Sequence, residues 1–278
     1  MKGQNRSYVV FLLPSLLGVS VFVLLPFLDV VRRSFMDVSG DEFCGLKNYQ
    51  RVFSNQAFCL ALGNTGKFLA VSVPLLLLLS LALANLVYFG VTKFYRNVCL
   101  LPMAIPVASL AFVWKMIFHR YGLLNSFLGL STDWLNSSHA FGVLTASFLW
   151  KNTGYYTVLW LTGLEQIPGS LYEAAALDGA GVFAKFWYVT LPGLRPMASA
   201  AFILALIGAF KTFREAWLLA GEYPDTSIYM IQHVFHHWFR DMSMEKMSAS
   251  AVVLVCIFAV MVYPFRKKGG GNPDTVQF

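Results

Sequence analysis

Lys151 and Tyr155 are the side chains in this sequence whose types and spacing best suit binding chemistry. Lys151 stands ten residues into an apolar run that begins at Phe141, and Tyr155 follows four residues later, on the same face of a helix. An ammonium group about 15 Å along an apolar helix lies near the middle of a bilayer, where charged side chains are costly and often functional. We therefore predict that Lys151 faces a polar cavity, with Tyr155 as a stacking surface. Two alternatives stay open: Lys151 pairs with a carboxylate or snorkels, and Tyr155 simply packs.

A second informative segment, residues 165–195, lies between two apolar runs and has the pattern of a helix–turn–helix. Ser170 and Glu173 match a capping box, in which each side chain bonds the other residue's backbone amide. Gly179 suits the left-handed position that ends a helix. A second short helix is expected over Phe183–Val189, ending before the next proline. Compact, ordered loops of this kind commonly dock onto a partner.

Other chemical motifs are absent or weak. Three histidines have helical spacing, but no clear acidic or thiol partner accompanies them, so we expect no metal site: His233, His236 and His237. The segment Gly63–Phe68 superficially resembles a phosphate-binding loop but lacks its four-residue gap and the Ser/Thr after Lys. No nucleophile elbow or HExxH motif occurs, so we predict a chain without catalytic residues or cofactors of its own. Cys44 and Cys59 could pair across one membrane face, or stay free.

Composition points to a membrane protein. Of 278 residues, 57% are hydrophobic and only 13% are charged, against about 25% charged in soluble domains. The excess apolar surface must face lipid. The net charge of +7 could suggest nucleic acid, but Lys and Arg cluster at the ends of the apolar runs, as membrane anchors do. We therefore expect a lipid bilayer and no nucleic acid as partner.

Six apolar runs are long enough to cross a bilayer, which takes roughly 20 residues per helix. Only helices or closed barrels satisfy the backbone in lipid, and runs of this length form helices. The sequence thus predicts an all-α membrane protein with one domain over 1–278 and spans at 8–31, 68–89, 100–118, 141–164, 196–219 and 248–265. Lys and Arg divide equally between the two sides, so their positions do not set the orientation.

The loop at 165–195 resembles the EAA loop of ABC importer permeases, which carries many fixed residues at fixed spacing. In that family the loop lies on the cytoplasmic face and inserts into a cleft of the ATPase subunit. The resemblance implies that both termini are cytoplasmic and that Glu173 meets a basic group of the ATPase. The residues that carry the resemblance, and that would couple the chain to the ATPase, are Glu173, Ala174, Ala175, Asp178, Gly179, Ala180, Phe186, Leu191 and Pro192, with Val189 and Pro196 beside them.

Further motifs resemble the sugar-permease branch, of maltose type: Leu46–Tyr49, Asn64–Thr65, Leu101–Pro102, Trp114, Gly122–Asn125, Trp150 and Gly163–Pro168. By this resemblance the Tyr155 position contacts sugar, and Asn152 and Thr212 lie near pocket positions. The implied substrate path comprises Lys151, Asn152, Tyr155, Lys211 and Thr212. One departure concerns substrate: where the family often has Gly-Gly-Pro, this chain reads Ala220–Pro224.

The resemblance implies a transport subunit in a bacterial cytoplasmic membrane. Its expected partners are a second permease, two ATP-binding subunits that bind ATP and Mg, and an extracytoplasmic solute-binding protein. The expected cargo is a sugar or oligosaccharide, including acidic glycans. Alternatives are another polar solute or, from a different class, a membrane-embedded enzyme or channel. An enzyme would need a convergent set of acid/base or metal-binding residues in its spans, and a channel would not need a docking loop.

Overall fold

The computed structural model describes residues 4–40, 42–90 and 101–266, with side chains described for 12–40, 42–89 and 101–265. Over these residues the chain is helical and contains no strand. The helices are α1 (Gln4–Val19), α2 (Leu25–Arg33), α3 (Lys47–Phe53), α4 (Gln56–Gly90), α5 (Leu101–Ala104), α6 (Val107–Phe118), α7 (Leu123–Leu128), α8 (Ala140–Glu165), α9 (Gly169–Leu177), α10 (Val182–Lys185), α11 (Leu191–Gly193), α12 (Arg195–Phe210), α13 (Phe213–Ala220), α14 (Ile231–Arg240) and α15 (Met244–Arg266).

Four of the predicted spans are confirmed as helices long and apolar enough to cross a membrane. Within the described residues these are Leu12–Arg33, Gln56–Phe89, Arg195–Ala220 and Met244–Phe265. The first joins α1 to α2 through a turn of π-helix, Ser20–Leu24, and its apolar side chains are exposed, Phe22 by 81%. Such exposure of large apolar groups fits a surface that meets lipid or a partner helix rather than water.

The other two predicted spans are not among the described helices that are both long and apolar enough to cross a membrane. Span three is interrupted at Pro106, because proline removes an amide and clashes with the preceding turn, so α5 and α6 are each too short to cross alone. Its predicted first residue, Leu100, lies outside the described residues. Span four is α8, an unbroken helix of 26 residues, about 39 Å long. The count of six spans therefore stays a prediction.

Two compact units divide the chain. One comprises residues 1–59 and 234–261, and the other comprises 60–233 and 262–278. In the first, Asn48 is fully buried and its amide donates hydrogen bonds to the carbonyl oxygens of Ser34 (3.1 Å) and Met36 (2.6 Å). Cys44 and Cys59 are both free thiols, so the alternative that they pair is wrong.

Polar side chains join distant segments in the second unit. Asn64 donates to the carbonyl oxygens of Thr226 (2.6 Å) and Tyr229 (3.0 Å). The hydroxyl oxygen of Thr65 accepts a hydrogen bond from the Ile231 amide, at 3.0 Å. Buried polar groups require such partners. The Asn64–Thr65 motif thus fixes the start of α4 to the segment that follows α13.

Aromatic and hydroxyl side chains pack α4 against α8. The Trp160 indole Nε1 donates to Ser80 Oγ at 3.1 Å, and Phe68 packs edge-on against Phe148, with ring centroids 5.5 Å apart. Ser80 and Trp160 are both buried. An indole N–H inside an apolar layer needs an acceptor, and Ser80 supplies it on the facing helix. This contact fixes the register of α4 on α8.

Asn125 organises the loop between α6 and α8. Its amide donates to the carbonyl oxygens of Arg120 (2.8 Å) and Thr132 (2.7 Å), and its oxygen accepts from Trp134 Nε1 at 2.7 Å. The side chain is 2% exposed. All three contacts depend on one amide group, so its removal leaves two carbonyls and one indole N–H without their partner.

We predict that Asn125→Ala lowers the free energy of unfolding by about 1–3 kcal/mol, the cost of leaving buried polar groups unsatisfied. The measurement is thermal unfolding of the purified chain in detergent, followed by tryptophan fluorescence. Ser131→Ala, at an exposed position of the same loop, serves as the control. Equal melting temperatures for the Asn125→Ala variant and the parent would show that this side chain does not hold the loop.

Candidate functional site

The loop between α8 and α12, called here the coupling loop (residues 166–194), is ordered throughout. Its first helix, α9, ends in a Schellman motif: the Ala180 amide bonds the Ala175 carbonyl at 2.9 Å, and the Gly179 amide bonds that of Ala176 at 3.1 Å. Gly179 has φ of +76°, which residues with a Cβ rarely adopt. The predicted left-handed stop at Gly179 is therefore confirmed.

The predicted capping box at the start of α9 is wrong. The helix begins two residues earlier than that pattern requires, at Gly169 instead of Leu171, with Pro168 at its N-cap, and no side chain caps it. Because the N-cap is not Ser170, the reciprocal geometry with Glu173 does not arise. The Glu173 side chain is instead exposed and makes no hydrogen bond or ion pair within the described part of the chain.

The second half of the loop is longer and less regular than predicted. Instead of a helix that stops before Pro192, the chain stays helical from α10 through a π-helical turn, Phe186–Thr190, into α11. Pro192 lies just after the π-helical turn, and because proline has no amide hydrogen it removes one hydrogen bond from this continuous helical stretch.

Close packing clamps the base of the coupling loop. A Cβ on Gly193 would come within 2.8 Å of the Ile167 side chain, and one on Gly163 within 2.9 Å of Leu194. Hence two positions without side chains bring the incoming and outgoing ends of the loop together. The Tyr172 hydroxyl also lies 2.9 Å from Thr190 Oγ1 and ties α9 to the π-helical turn.

The loop exposes several large apolar side chains. The exposed fractions are 91% for Leu177, 88% for Val182, 76% for Phe183 and 83% for Tyr188. Soluble surfaces rarely gather so many, and such patches mark interaction sites. Together with the exposed Glu173 carboxylate, these residues form a surface suited to a protein partner. The predicted coupling residues Ala174, Asp178, Ala180 and Leu191 lie on the same loop, and Phe186 lines a cavity of about 1110 Å³ between the loop and the end of α4.

Lys151 is paired with a carboxylate. Its Nζ lies 2.8 Å from Oε1 of Glu215, with side-chain exposures of 15% and 14%. Of the alternatives left open, pairing with a carboxylate is therefore confirmed, and the carboxylate, Glu215, approaches from a different span. A charge-assisted hydrogen bond of this length is strong, and it offsets the cost of placing an ammonium group within the span.

The carboxylate can reach Lys151 because span five is interrupted. The helix turns at Lys211 and Thr212, between α12 and α13, and Glu215 lies in the first turn of α13. Thr212 is buried, with its hydroxyl 3.4 Å from the Gly208 carbonyl, whereas Lys211 is exposed. Breaks in transmembrane helices are typical of transporter binding sites, since they free backbone groups near the midplane.

The remaining predicted path residues lie on α8 beside Lys151. Asn152 donates to the Phe148 carbonyl at 2.7 Å, so part of its hydrogen-bonding capacity is used within its own helix. Tyr155 packs edge-on against Tyr156, with ring centroids 5.2 Å apart, and is partly exposed. The structure thus brings Lys151 together with Glu215, one turn from Tyr155.

The histidines of α14 do not gather metal ligands. Within the described residues no group of three His, Cys, Asp or Glu side chains could hold a metal ion. His233 is buried, accepts from the Met230 amide at 3.0 Å and stacks on Tyr229, with ring centroids 5.3 Å apart. Burial raises the pKa of Tyr229, so this phenol stays neutral at physiological pH.

Sequence reasoning missed Glu215, Tyr172 and Gly193. A carboxylate in an apolar segment is a signal in itself, and Glu215 could have been proposed as the partner of Lys151 on that ground. Tyr172 and Gly193 have no such signal, because their roles depend on which parts of the loop meet.

Comparison with known proteins gives consistent matches. A family described as "binding-protein-dependent transport system inner membrane component" matches residues 76–265. The trehalose/maltose transport system permease of Thermococcus litoralis is 33% identical, over 90% of this chain and 90% of that protein. The sulfoquinovosyl glycerol transport system permease of Agrobacterium fabrum is 31% identical, over 96% and 92%.

The fold also resembles solved structures. A chain of a bacterial ABC transporter involved in the import of the acidic polysaccharide alginate matches with a TM-score of 0.78 at 20% identity. The match covers 96% of this chain and 97% of that one. The all-α membrane fold predicted from the sequence is thereby confirmed.

We predict that Lys151→Met or Glu215→Gln alone destabilises the chain by about 3 kcal/mol or more, because each leaves a partly buried charge or its former partner unpaired. The double variant, which removes both charges, is expected to recover most of this loss. Thermal unfolding of the four proteins completes a double-mutant cycle. Lys115→Met, at an exposed lysine, is the matched control. Strictly additive effects in the cycle would refute the ion pair.

Proposed function

Since the chain belongs to the family of binding-protein-dependent transport system inner membrane components, we propose that it is the membrane-spanning permease of an ABC importer for sugars or oligosaccharides. The single observation that carries the coupling part of this proposal is the ordered, exposed and apolar surface of the coupling loop. A channel has no use for such a surface. In the described part of the chain, no group of three His, Cys, Asp or Glu side chains could hold a catalytic metal ion.

Relatives support a sugar as cargo. Their names include permeases for trehalose and maltose, for sulfoquinovosyl glycerol and for arabinooligosaccharides. The range covers neutral and acidic solutes, and it includes sn-glycerol-3-phosphate for the permease of Salmonella typhimurium. A different polar solute within the same architecture is therefore the second candidate, and it is favoured by that relative.

The working complex contains further subunits. We infer a second permease, two ATP-binding subunits that hold ATP and Mg, and a solute-binding protein outside the membrane. A solved alginate transporter in complex with its periplasmic protein has the same fold, which supports the last of these. The chain lies in the cytoplasmic membrane, with both termini and the coupling loop on the cytoplasmic side.

The coupling loop receives the ATPase movement. Leu177, Val182 and Phe183 would enter an apolar cleft of the ATP-binding subunit, and Glu173 would meet a basic group at its edge. Because the loop base is clamped at Ile167 and Gly193, a push on the loop moves the ends of α8 and α12 together. The compactness of α9 depends on Ala174, Ala175 and Asp178. The shape of the second half of the coupling loop depends on Phe186, Leu191 and Pro192.

The cargo path runs past Lys151, Asn152, Tyr155, Lys211 and Thr212. Glu215 already neutralises Lys151, so no cargo is needed to offset that charge. A sugar would bind through hydroxyl groups to the ammonium and carboxylate, and through its apolar face to Tyr155. An acidic cargo would in addition compete with Glu215 for the ammonium group.

The test of coupling is Gly179→Pro, with Gly181→Pro as a matched control. Gly179 has φ of +76°, which proline cannot adopt, whereas Gly181 has φ of −70°, close to the value that proline fixes. Glu173→Lys removes the proposed charge contact. In the transporter reconstituted in liposomes, we expect Gly179→Pro and Glu173→Lys to lose most uptake and to uncouple it from ATP hydrolysis.

This result can be interpreted only if both variants insert into the membrane as the parent does. Gly181→Pro is expected to transport like the parent. Uptake at the parental rate in both Gly179→Pro and Glu173→Lys would mean that the loop is not the coupling element, although the chain would still belong to its family.

Cargo contact is tested by Tyr155→Ala and by the Lys151→Met, Glu215→Gln double variant. We expect Tyr155→Ala to slow sugar uptake with basal ATPase activity unchanged, because a stacking surface is lost without any charge imbalance. If the double variant carries neutral sugars but loses acidic ones, the cargo is acidic. Parental uptake of every sugar by both variants would place these residues outside the path.

A further inference from the structure

A groove opens on the outer surface of the second unit, between the transmembrane helices. Its volume is about 650 Å³, and it is lined by Leu77 and Leu81 of α4, Trp160 of α8, Arg195 and Phe202 of α12, and Phe265 of α15. We call it the Arg195 groove. We propose that it binds one anionic phospholipid in the leaflet on the side of the coupling loop.

The walls of the groove suit an acyl chain. Phe202 and Phe265 stack with ring centroids 4.3 Å apart and form one wall. Trp160 also lines the groove, and its Nε1 donates to Ser80, a residue outside the lining, so its polar atom is already satisfied. Leucine side chains of α4 complete the apolar lining. Apart from Arg195 and Ser199, every residue that lines the groove is thus apolar.

The entrance is polar and positively charged. Arg195 is exposed and makes no ion pair within the described residues. Ser199 lies one turn further along, with its hydroxyl on the Arg195 carbonyl at 3.2 Å. An apolar groove in a membrane protein that ends at an unpaired guanidinium matches a lipid with a negative headgroup, because arginine binds phosphate in a bidentate manner.

Along the groove, the lining changes from charged to apolar as the depth in the membrane increases. Arg195 is the first residue of its span and therefore lies at the edge of the bilayer. Phe202 is seven residues further along, about 10 Å deeper. The charged group thus lies at the headgroup level and the aromatic wall within the hydrocarbon layer. A helix of a partner permease would need an acidic side chain at this one point, whereas anionic lipids supply it throughout the leaflet.

The experiment is native mass spectrometry of the full chain in detergent, titrated with dioleoyl phosphatidylglycerol or dioleoyl phosphatidylcholine. These lipids have the same tails and differ in headgroup charge. We expect about fivefold tighter binding of phosphatidylglycerol, as one basic residue near a membrane surface provides. Arg195→Gln should remove this preference, and Arg195→Lys should retain part of it.

Two further variants distinguish a built site from general attraction. Arg214→Gln makes the same change at an exposed arginine in α13 of the same span and should leave the preference intact. Ala198→Trp fills the groove and should weaken binding of both lipids. Equal binding of the two lipids by the parent, equal losses in the two glutamine variants, or unchanged binding in Ala198→Trp would overturn the proposal.

The assembled transporter provides a last check on the occupant. Ser199→Cys, made in a chain whose native cysteines are replaced by serine, should react with a lipid-soluble maleimide and should form no crosslink to the second permease. A crosslink to that subunit, with loss of bound lipid on assembly, would show that a protein helix covers the groove instead.

Discussion

Polar groups inside a bilayer must find their partners within the protein, because the hydrocarbon layer offers none. This constraint accounts for the contacts that hold the spans of the second unit together. The indole of Trp160 reaches Ser80 on the facing helix, and the ammonium group of Lys151 reaches Glu215. Each contact costs little free energy to form once the helices are packed. Breaking it would cost much more, because it would leave a polar group unpaired in the hydrocarbon layer. The polar side chains therefore set the register, while the apolar ones supply most of the buried area.

The same constraint explains where the helices may be interrupted. A break frees carbonyl and amide groups, which need nearby partners. At Lys211 and Thr212 the Lys211 amide still bonds the carbonyls of Ile207 (3.2 Å) and Gly208 (3.1 Å), and the Gln232 side chain donates to the Phe210 carbonyl at 2.6 Å. Because the Phe210 carbonyl is satisfied in this way, the helix can be interrupted here. The interruption brings the Glu215 carboxylate to within 2.8 Å of Lys151 Nζ.

Local features of the fold could be predicted from the sequence, and contacts between distant segments could not. Apolar length is a local property, so Leu12–Arg33, Gln56–Phe89, Arg195–Ala220 and Met244–Phe265 were predictable. The turn at Gly179 is local in the same sense, since one residue must adopt positive φ. The capping box failed because Pro168 competes with Ser170 for the start of α9, and two possible start positions only two residues apart cannot be ranked without the packing. Glu215 escaped because its partner lies 64 residues away.

The coupling loop, α8 and span five are connected at two levels, and this arrangement bears on how a movement would cross the membrane. At the loop base, Gly163 and Gly193 allow Leu194 and Ile167 to pack without a gap. Twelve residues back along α8, about 18 Å away, Lys151 holds Glu215 at 2.8 Å. If α8 and span five were joined only at the loop base, they would bend when the loop is pushed, since a single hydrophobic contact resists sliding weakly. Joined at both levels, α8 and span five resist relative sliding, so under the proposed coupling a displacement of the loop would reach as far as the ion pair. The break at Lys211–Thr212 would then be the place where span five deforms, because Glu215 holds α13 to α8 while α12 follows the loop.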